Sequence, residues 1–177
     1  MKPTEILKEE HKVIKLMLKI INSVCDKLES KQSVDKDDLK SIIEFIRIFA
    51  DKCHHGKEED RLFPKMEEYG IPKEGGPIGV MLQEHELGRS YVTAAASAIE
   101  KEDYSEFVEN IRNYVELLEQ HIDKEDNILY MMADMHIPQK EQKKLVEEFE
   151  RFEKEEIGEG KHEEFHKLVH QLEKKYL

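Results

Sequence analysis

Apolar residues recur at alternating steps of three and four through four long segments, and this spacing restricts the fold more than any other feature of the chain. It predicts helices over residues 5–29, 37–69, 78–101 and 104–132. The segments between them are short and polar, or contain glycine and proline, so consecutive helices should form antiparallel hairpins. Glycine and proline are otherwise scarce (8 and 5 residues), as in long amphipathic helices. We therefore predict an all-α protein.

The pattern changes after Pro138. Residues 139–156 are highly charged with few apolar points, and Gly158 and Gly160 separate them from a last amphipathic helix. We predict two parts, a four-helix bundle over residues 1–136 and a C-terminal helical extension over residues 137–177. The extension should pack on the bundle or on a protein partner.

Charge and hydropathy exclude several classes of partner. The net charge of −12 argues against nucleic acid, whose affinity depends on Lys and Arg side chains that meet phosphates. No apolar run approaches the ~20 residues that a membrane-spanning helix needs, and the N-terminus lacks the apolar stretch of a signal peptide. The two cysteines fit a reducing compartment. We therefore expect a cytoplasmic protein with neither nucleic acid nor a membrane as its partner.

An internal repeat places histidine and glutamate on the inward stripes of all four helices. A Glu-His pair opens the first and third helices, and a His-x-x-x-Glu pair lies in the second and fourth. Counting from the connecting turns at ~1.5 Å per residue places these groups near one level of the bundle. The inward-facing set is His11, His54, Glu58, His85, His121 and Glu125.

This set predicts a site for two metal ions. Spacing of i, i+4 puts the histidine and glutamate of each pair on one helix face, so each pair can bind one metal and share its carboxylate with a second. A lone histidine on an apolar stripe is more often a core or boundary residue. Four histidines and two glutamates at one level, however, are costly to bury without a ligand. Mixed nitrogen and oxygen ligation with open positions favours iron over a closed structural zinc site.

Several neighbouring residues leave alternatives open. His55 and Glu59 form a second His-x-x-x-Glu pair. We place this pair outside the ligand set because Glu58 stands five residues before an aromatic residue, as Glu125 does. Candidates for side chains that surround the ligands are Glu10, Glu84 and Arg89. The two glutamates either fix the imidazole tautomers or are solvated, and the arginine either pairs with a bridging carboxylate or lies on the surface.

The last helix carries a row of histidines at i, i+4 and i+8, which are His162, His166 and His170. Two histidines at i, i+4 can bind a metal. Since no acidic residues of clear register stand beside the row, we expect three partly exposed histidines rather than a second metal site.

Residues 54–64 (HHGKEEDRLFP) resemble the signature of hemerythrin-like, HHE cation-binding domains. The resemblance covers about residues 5–135, and the recurrence of His-x-x-x-Glu at His121 makes it quite specific. It implies an up-down-up-down four-helix bundle of the hemerythrin type around two iron ions, a non-haem di-iron centre with an oxo or hydroxo bridge. Matched residue by residue, it implies the same six ligands, namely His11, His54, Glu58, His85, His121 and Glu125.

One position departs from the oxygen-carrying members of that family. They have a second histidine one turn after the histidine of the third helix, where this chain has Arg89. The site is similar instead to the four-histidine, two-glutamate centres of bacterial proteins linked to nitric oxide stress and iron–sulfur repair, but this sequence lacks their cysteine-bearing N-terminal domain. The resemblance thus implies binding of, or reaction with, a small oxidant such as dioxygen, peroxide or nitric oxide. One alternative is an iron-responsive sensing or interaction module without turnover, with a protein partner bound through the C-terminal helices. Another is a purely structural bundle that the metal only stabilises. No catalytic residue is predicted, and the sequence leaves open whether the protein is an enzyme.

Overall fold

The computed structural model describes all 177 residues, and its six helices form a four-helix bundle with two further helices against one side. The bundle helices are α1 (Pro3–Glu29), α2 (residues 36–68), α3 (Pro77–Glu100) and α4 (residues 104–136). The extension consists of α5 (residues 139–157) and α6 (Lys161–Tyr176). There is no strand, so the predicted all-α bundle is confirmed. None of the helices combines the length and apolarity that crossing a membrane requires.

Three of the helices contain wider, π-helical turns. In α2 these turns cover Ile46–His55 and Glu58–Leu62, in α4 Glu125–Leu129, and in α5 Glu153–Ile157. The remaining parts are regular α-helix, over Lys36–Phe45 and Phe63–Glu68 in α2, Tyr104–Lys124 and Tyr130–His136 in α4, and Gln139–Phe152 in α5. The helices are continuous through these changes, so each hairpin keeps two long arms.

Local sequence explains where several helices begin and end. The side chain of Asp35 accepts a hydrogen bond from the backbone N–H of Asp37 at the start of α2, and Asp103 does the same for Glu106 at the start of α4. These contacts satisfy N–H groups that have no partner within the helix. Gly70, with φ of +95°, takes the left-handed conformation that ends α2.

The four bundle helices form an antiparallel ring in which α1 and α3 each contact α2 and α4. Buried apolar residues divide into two clusters. Along each bundle helix, one polar segment separates the residues of one cluster from those of the other. The flanking residues are Leu7 and Ile14 on α1, Ala50 and Leu62 on α2, Met81 and Val92 on α3, and Ile122 and Leu129 on α4. A polar layer therefore crosses the core between the two clusters.

The extension packs on α1 and α2, one side of the bundle. Leu145 and Phe149 of α5 join the smaller apolar cluster, whereas Phe165, Val169 and Leu172 of α6 join the larger one. Its apolar stripe therefore covers the bundle, while the boundary at residue 136 remains a prediction.

Candidate metal centre

Six side chains from the four bundle helices occupy the polar layer, and each exposes at most 2% of its surface. They are His11 on α1, His54 and Glu58 on α2, His85 on α3, and His121 and Glu125 on α4. All six residues predicted from the sequence thus meet in one layer. Their assignment as metal ligands remains a prediction.

Three of these side chains form a first group. His11, His54 and Glu125 offer ligand atoms that all lie within 4.8 Å of one another. The Nε2 atoms of His11 and His54 are 2.9 Å apart, and Nε2 of His11 lies 3.3 Å from Oε1 of Glu125. Two nitrogens bound to one metal at right angles, at the bond length of a zinc–imidazole contact, are about 3 Å apart. The spacing therefore fits one metal ion between α1, α2 and α4.

The second group lies beside the first. His55, Glu58, His85 and His121 offer ligand atoms within 4.8 Å of one another. The Nε2 atoms of His85 and His121 are 3.2 Å apart, and Nε2 of His85 lies 3.5 Å from Oε1 of Glu58. This spacing fits a second metal ion between α2, α3 and α4.

Both carboxylates reach both groups. Oε1 of Glu125 lies 3.3 Å from Nε2 of His11 and 3.2 Å from Nε2 of His121. Oε1 of Glu58 lies 3.5 Å from Nε2 of His85 and 3.9 Å from Nε2 of His54. Each carboxylate can therefore bridge two metals.

A further carboxylate contacts the outer ring nitrogen of each of the four histidines. The pairs at Nδ1 are His11–Asp126 (2.7 Å), His54–Glu10 (2.9 Å), His85–Glu59 (2.6 Å) and His121–Glu84 (2.9 Å). A carboxylate can only accept hydrogen bonds, so the proton of each neutral imidazole is assigned to Nδ1. Such a contact fixes the ring, raises its basicity and leaves the Nε2 lone pair for a metal.

The inward-facing atoms lack partners within the protein. With the protons on Nδ1, two Nε2 lone pairs face each other in each group and repel unless a proton or a cation lies between them. Oε1 of Glu58 and both carboxylate oxygens of Glu125 are also buried without a hydrogen-bond donor. Buried polar groups of this kind need a partner, and a metal ion is one. The residues present therefore fit a metal centre.

In the first group, His11 and His54 together hold one proton between their facing Nε2 atoms. Burial lowers the pKa of His11, but the hydrogen bond to Asp126 and the charge of Glu125 outweigh burial and raise the pKa to about 9. Burial and the charge of His11 lower the pKa of His54 to about 4. Burial and the charge of Glu125 raise the pKa of Glu58, the carboxylate of the second group that lies 3.9 Å from His54.

In the second group, both facing histidines hold protons more firmly. Burial lowers the pKa of His85, but Glu58 and Glu59 outweigh burial and raise it to about 9. Burial acts in the same way on His121, where Glu125 outweighs it and raises the pKa to about 10. Without metal, the Nε2 atoms of His85 and His121 therefore carry protons, which a metal ion must displace before it binds.

Tyr130 adds a hydroxyl to the layer. Its hydroxyl donates to Oε2 of Glu58 at 2.8 Å and lies 3.4 Å from Nε2 of His11. Burial and the charges of Glu125 and Glu58 raise the pKa of Tyr130 well above its ordinary value, so the hydroxyl keeps its proton. The matching position in the other half of the repeat is Phe63, which has no hydroxyl.

The π-helical turns coincide with the predicted ligands. Glu58 and Glu125 each begin a five-residue π-helical segment, and His54 and His55 end a longer one. Such turns are rare and occur frequently at functional sites. A wider turn reduces the angle between neighbouring residues below the ~100° of an α-helix, which allows both adjacent histidines to face inward.

His55 lies within the layer, whereas we expected it outside the ligand set. Its ring stacks on His85 with the ring centroids 3.7 Å apart. Its Nδ1 lies 3.1 Å from Oδ1 of Asp51, so Nε2 is the atom available to a metal. Burial and the charge of His85 lower its pKa, which keeps the imidazole neutral, as a metal ligand must be. We therefore add His55 to the candidate ligands.

The three side chains predicted to surround the ligands take defined places. Glu10 and Glu84 contact histidines on the neighbouring helix, not the histidines that follow them in sequence. Arg89 pairs with Asp51 and Glu59 at 2.8 and 2.7 Å, and not with a bridging carboxylate. It thus supports the carboxylate that orients the histidine of α3.

A cavity of about 200 Å³ borders the second group. His55 and His85 form part of its wall, together with Asp51, Arg89 and Tyr114. Arg89 is 34% exposed and links the wall to the surface. The cavity can hold several water-sized molecules beside the candidate ligands.

A third cluster of potential ligands involves the extension. Glu10, Glu153 and His162 offer ligand atoms within 4.8 Å of one another. The ammonium group of Lys57 already lies among them, 2.6 Å from Glu10 and 3.0 Å from Glu153. This cluster is an internal ion pair with a cation of its own, and the other two histidines of the predicted row lie outside it.

A family model for the hemerythrin HHE cation binding domain matches residues 2–133. The chain belongs to this family. Uncharacterized proteins of Mycobacterium bovis and of two strains of Mycobacterium tuberculosis are similar to this hemerythrin HHE protein, each at 26% identity over 162 residues. The alignments cover 88% of this chain and 63% of each relative, so the chain spans less than two thirds of the relatives' length. No solved structure matches it significantly.

Sequence reasoning missed the outer partners of this HHE domain. It did not assign Asp126 and Glu59 to the histidines across the bundle, or Lys57 to the buried ion pair. The signal was present, because a Lys-Glu-acid triplet recurs at residues 57–59 and 124–126 around the two ligand glutamates. The repeat therefore extends beyond the ligands to the groups that orient them.

Proposed function

We propose that this HHE domain binds two iron ions, and that the pair binds or reacts with a small oxidant such as dioxygen, peroxide or nitric oxide. The observation that carries the proposal is the two facing couples of Nε2 atoms, 2.9 and 3.2 Å apart, beside two carboxylates with unpaired oxygens. Each couple would supply two nitrogens to a metal, and Glu58 and Glu125 would supply oxygens.

The donor set supports iron as the metal. Imidazole nitrogens and bridging carboxylates between the helices of a bundle are typical of di-iron and di-manganese proteins, and imidazole favours iron over manganese. His55 would add a third nitrogen to the metal of the second group, so the metal of the first group would have fewer protein ligands. When bound, two irons supply electrons to a small oxidant.

The protein's own residues hold and shield this centre. The outer carboxylates orient the four imidazoles, and the apolar clusters on both sides of the layer exclude bulk water. Tyr130 keeps a proton on its hydroxyl oxygen, 2.8 Å from Glu58 and close to the inward-facing atoms. The cavity beside His55 and His85 is the approach that we propose for the oxidant.

Metal content and spectra test the proposal. We expect two irons per chain after anaerobic purification, by elemental analysis, and an absorption band that appears on exposure to oxygen or changes with nitric oxide. His11→Ala should lose iron, whereas His170→Ala, a change of an exposed histidine in α6, should retain both irons. Zinc or no metal in the wild-type protein, with no spectral response, would contradict the proposal.

A second candidate function is an iron-responsive sensing or interaction module without turnover. It is favoured by the direct contact of the extension with the ligand-bearing segment, where Lys57 of α2 donates to Glu153 of α5. In that case iron should change hydrogen exchange in residues 139–177. Equal exchange in the metal-free, ferrous and ferric forms would leave this candidate without support.

We also propose a cytoplasmic location and a small molecule as the partner, rather than nucleic acid or a membrane. The net charge of −12 and the two buried free cysteines support this proposal. Cell fractionation tests it, and recovery in a secreted or membrane fraction would contradict it.

A further inference from the structure

The extension contacts α2 between the candidate ligands of that helix. A Cβ atom at position 56 would lie 2.7 Å from Cζ of Phe152, so Gly56 leaves the space that this ring occupies. The ring of Phe149 lies 6.0 Å from Nζ of Lys57. Helix α5 of the extension therefore packs on the segment between His54 and Glu58 itself.

Lys57 connects the extension to the metal centre. Its side chain is fully buried, and its ammonium donates to Glu10 at 2.6 Å and to Glu153 at 3.0 Å. The same Glu10 carboxylate accepts from Nδ1 of His54 at 2.9 Å and lies 3.4 Å from Nε2 of His162. A buried ammonium is stable only among such partners. A row of alternating charges thus runs from the extension to a candidate ligand.

The other hairpin has the same inner contacts without the extension. Lys124 contacts Glu84, and Glu84 accepts from Nδ1 of His121. Lys124 is 39% exposed and has no acidic partner beyond Glu84. Only the first hairpin therefore carries a second carboxylate that shares the ammonium group and excludes water from it.

We propose that Lys57 and Glu153 are positioning residues of the metal centre, through which the extension sets the orientation and the donor strength of His54. The proposal deepens the proposed function and takes its chemical meaning from it. A carboxylate on Nδ1 increases the basicity of a ligand imidazole. The ammonium of Lys57 attracts the carboxylate of Glu10 and so weakens the effect of that carboxylate on the basicity of His54. Glu153 limits this weakening because its carboxylate binds the same ammonium.

Glu153→Gln tests the proposal because it removes the charge and keeps the shape of the side chain. Lys57 then acts on Glu10 alone, and His54 becomes the weaker ligand. In the metal-free protein, we expect the NMR signal of the Nδ1 proton of His54 to move, while the matching signal of His121 stays. In anaerobic titrations with ferrous iron, we expect about tenfold weaker binding of one of the two irons, the low end of the effect of such outer residues.

Three matched variants separate charge from packing. Glu156→Gln removes a carboxylate from an exposed position of the same π-helical segment and should leave both histidine signals unchanged. Lys124→Met should move the signal of His121 only. Phe152→Leu loosens the contact with Gly56 without a change of charge and should move the His54 signal less than Glu153→Gln does.

Two results would overturn the proposal. One is an unchanged His54 signal in Glu153→Gln, and the other is an equal shift in Phe152→Leu, which would reduce the extension to a structural cover. Failure of the proposed function is a separate result, since a wild-type protein that binds no iron still reports the position of the His54 proton. Glu153→Asp, which keeps the charge, should restore both the signal and the affinity.

Discussion

The two helical hairpins of the bundle carry the same polar pattern but differ in what covers it. In each, a lysine precedes the candidate ligand glutamate and contacts a glutamate of the partner helix, which also contacts a histidine on the lysine's own helix. Lys57 in the first hairpin is fully buried under the extension, whereas Lys124 in the second is 39% exposed. The repeat therefore supplies the candidate ligands and the carboxylates that contact them, and the extension buries the lysine of the first hairpin only.

Two single-residue differences add to this inequality. Tyr130 of the second hairpin donates to Glu58, whereas the matching Phe63 of the first has no donor. His55 of the first hairpin points into the layer at a position where the second has Ile122. These changes give the two groups of candidate ligands different surroundings.

Removal of Glu58 or Glu125 should have the largest effect, because it should weaken metal binding in both groups of candidate ligands. Glu125→Ala removes an oxygen that lies 3.3 and 3.2 Å from histidines of both groups, so we expect loss of at least one iron. Glu58→Ala should act in the same way. Glu116→Ala, at an exposed position of the same helix, is the control for elemental analysis. Full iron content in either ligand variant would refute the assignment of that carboxylate.

A fall in pH should weaken metal binding more in the second group than in the first. The pKa of His11 is raised to about 9 and that of His54 is lowered to about 4, so near pH 7 the first group binds about one imidazole proton that metal must displace. In the second group, the pKa values of His85 and His121 are raised to about 9 and about 10, so metal must displace about two. Metal affinity therefore falls with decreasing pH in both groups, and more steeply in the second.

Calorimetry with zinc, a redox-inert probe, measures this difference. Titrations in two buffers of different ionisation enthalpy count the protons released per metal. His85→Ala leaves the first group intact, and His11→Ala leaves the second. We expect the larger proton release from His11→Ala, and equal release from the two variants would reject the difference in protonation.

Loss of the lysine should lower the free energy of unfolding more in the first hairpin, where it belongs to a buried ion pair, than in the second. Lys57→Met leaves the carboxylate of Glu10 buried without its cation, at a cost of about 3–5 kcal/mol in the free energy of unfolding. Lys124→Met removes a half-exposed partner of Glu84 and should cost at most about 1 kcal/mol. Urea denaturation of the metal-free variants compares the two. Similar losses would show that the extension does not shield Lys57 from water.

The spacing of residues in the sequence predicted the helices and the level of the six candidate ligands, because both follow from the rise and period of a regular helix. It did not predict that His55 faces inward, because the π-helical turn through His54 changes that period. It also did not predict the burial of Lys57, whose partner Glu153 lies 96 residues away and on a different helix. Such contacts depend on how the extension packs, and local spacing carries no information about that.

A smaller loss than that of Lys57→Met should come from the hydroxyl that distinguishes the two aromatic residues of the repeat. Tyr130→Phe removes the donor to Oε2 of Glu58, at a cost of about 1–3 kcal/mol in the free energy of unfolding of the metal-free protein. Tyr114→Phe is the matched control, since Tyr114 is a buried tyrosine of the same helix that does not contact Glu58. If the two variants lose equal stability, the Tyr130 hydroxyl does not stabilise the carboxylate. A loss confined to Tyr130→Phe, which disappears when metal is bound, would show that the hydroxyl and the metal both satisfy the same buried carboxyl group.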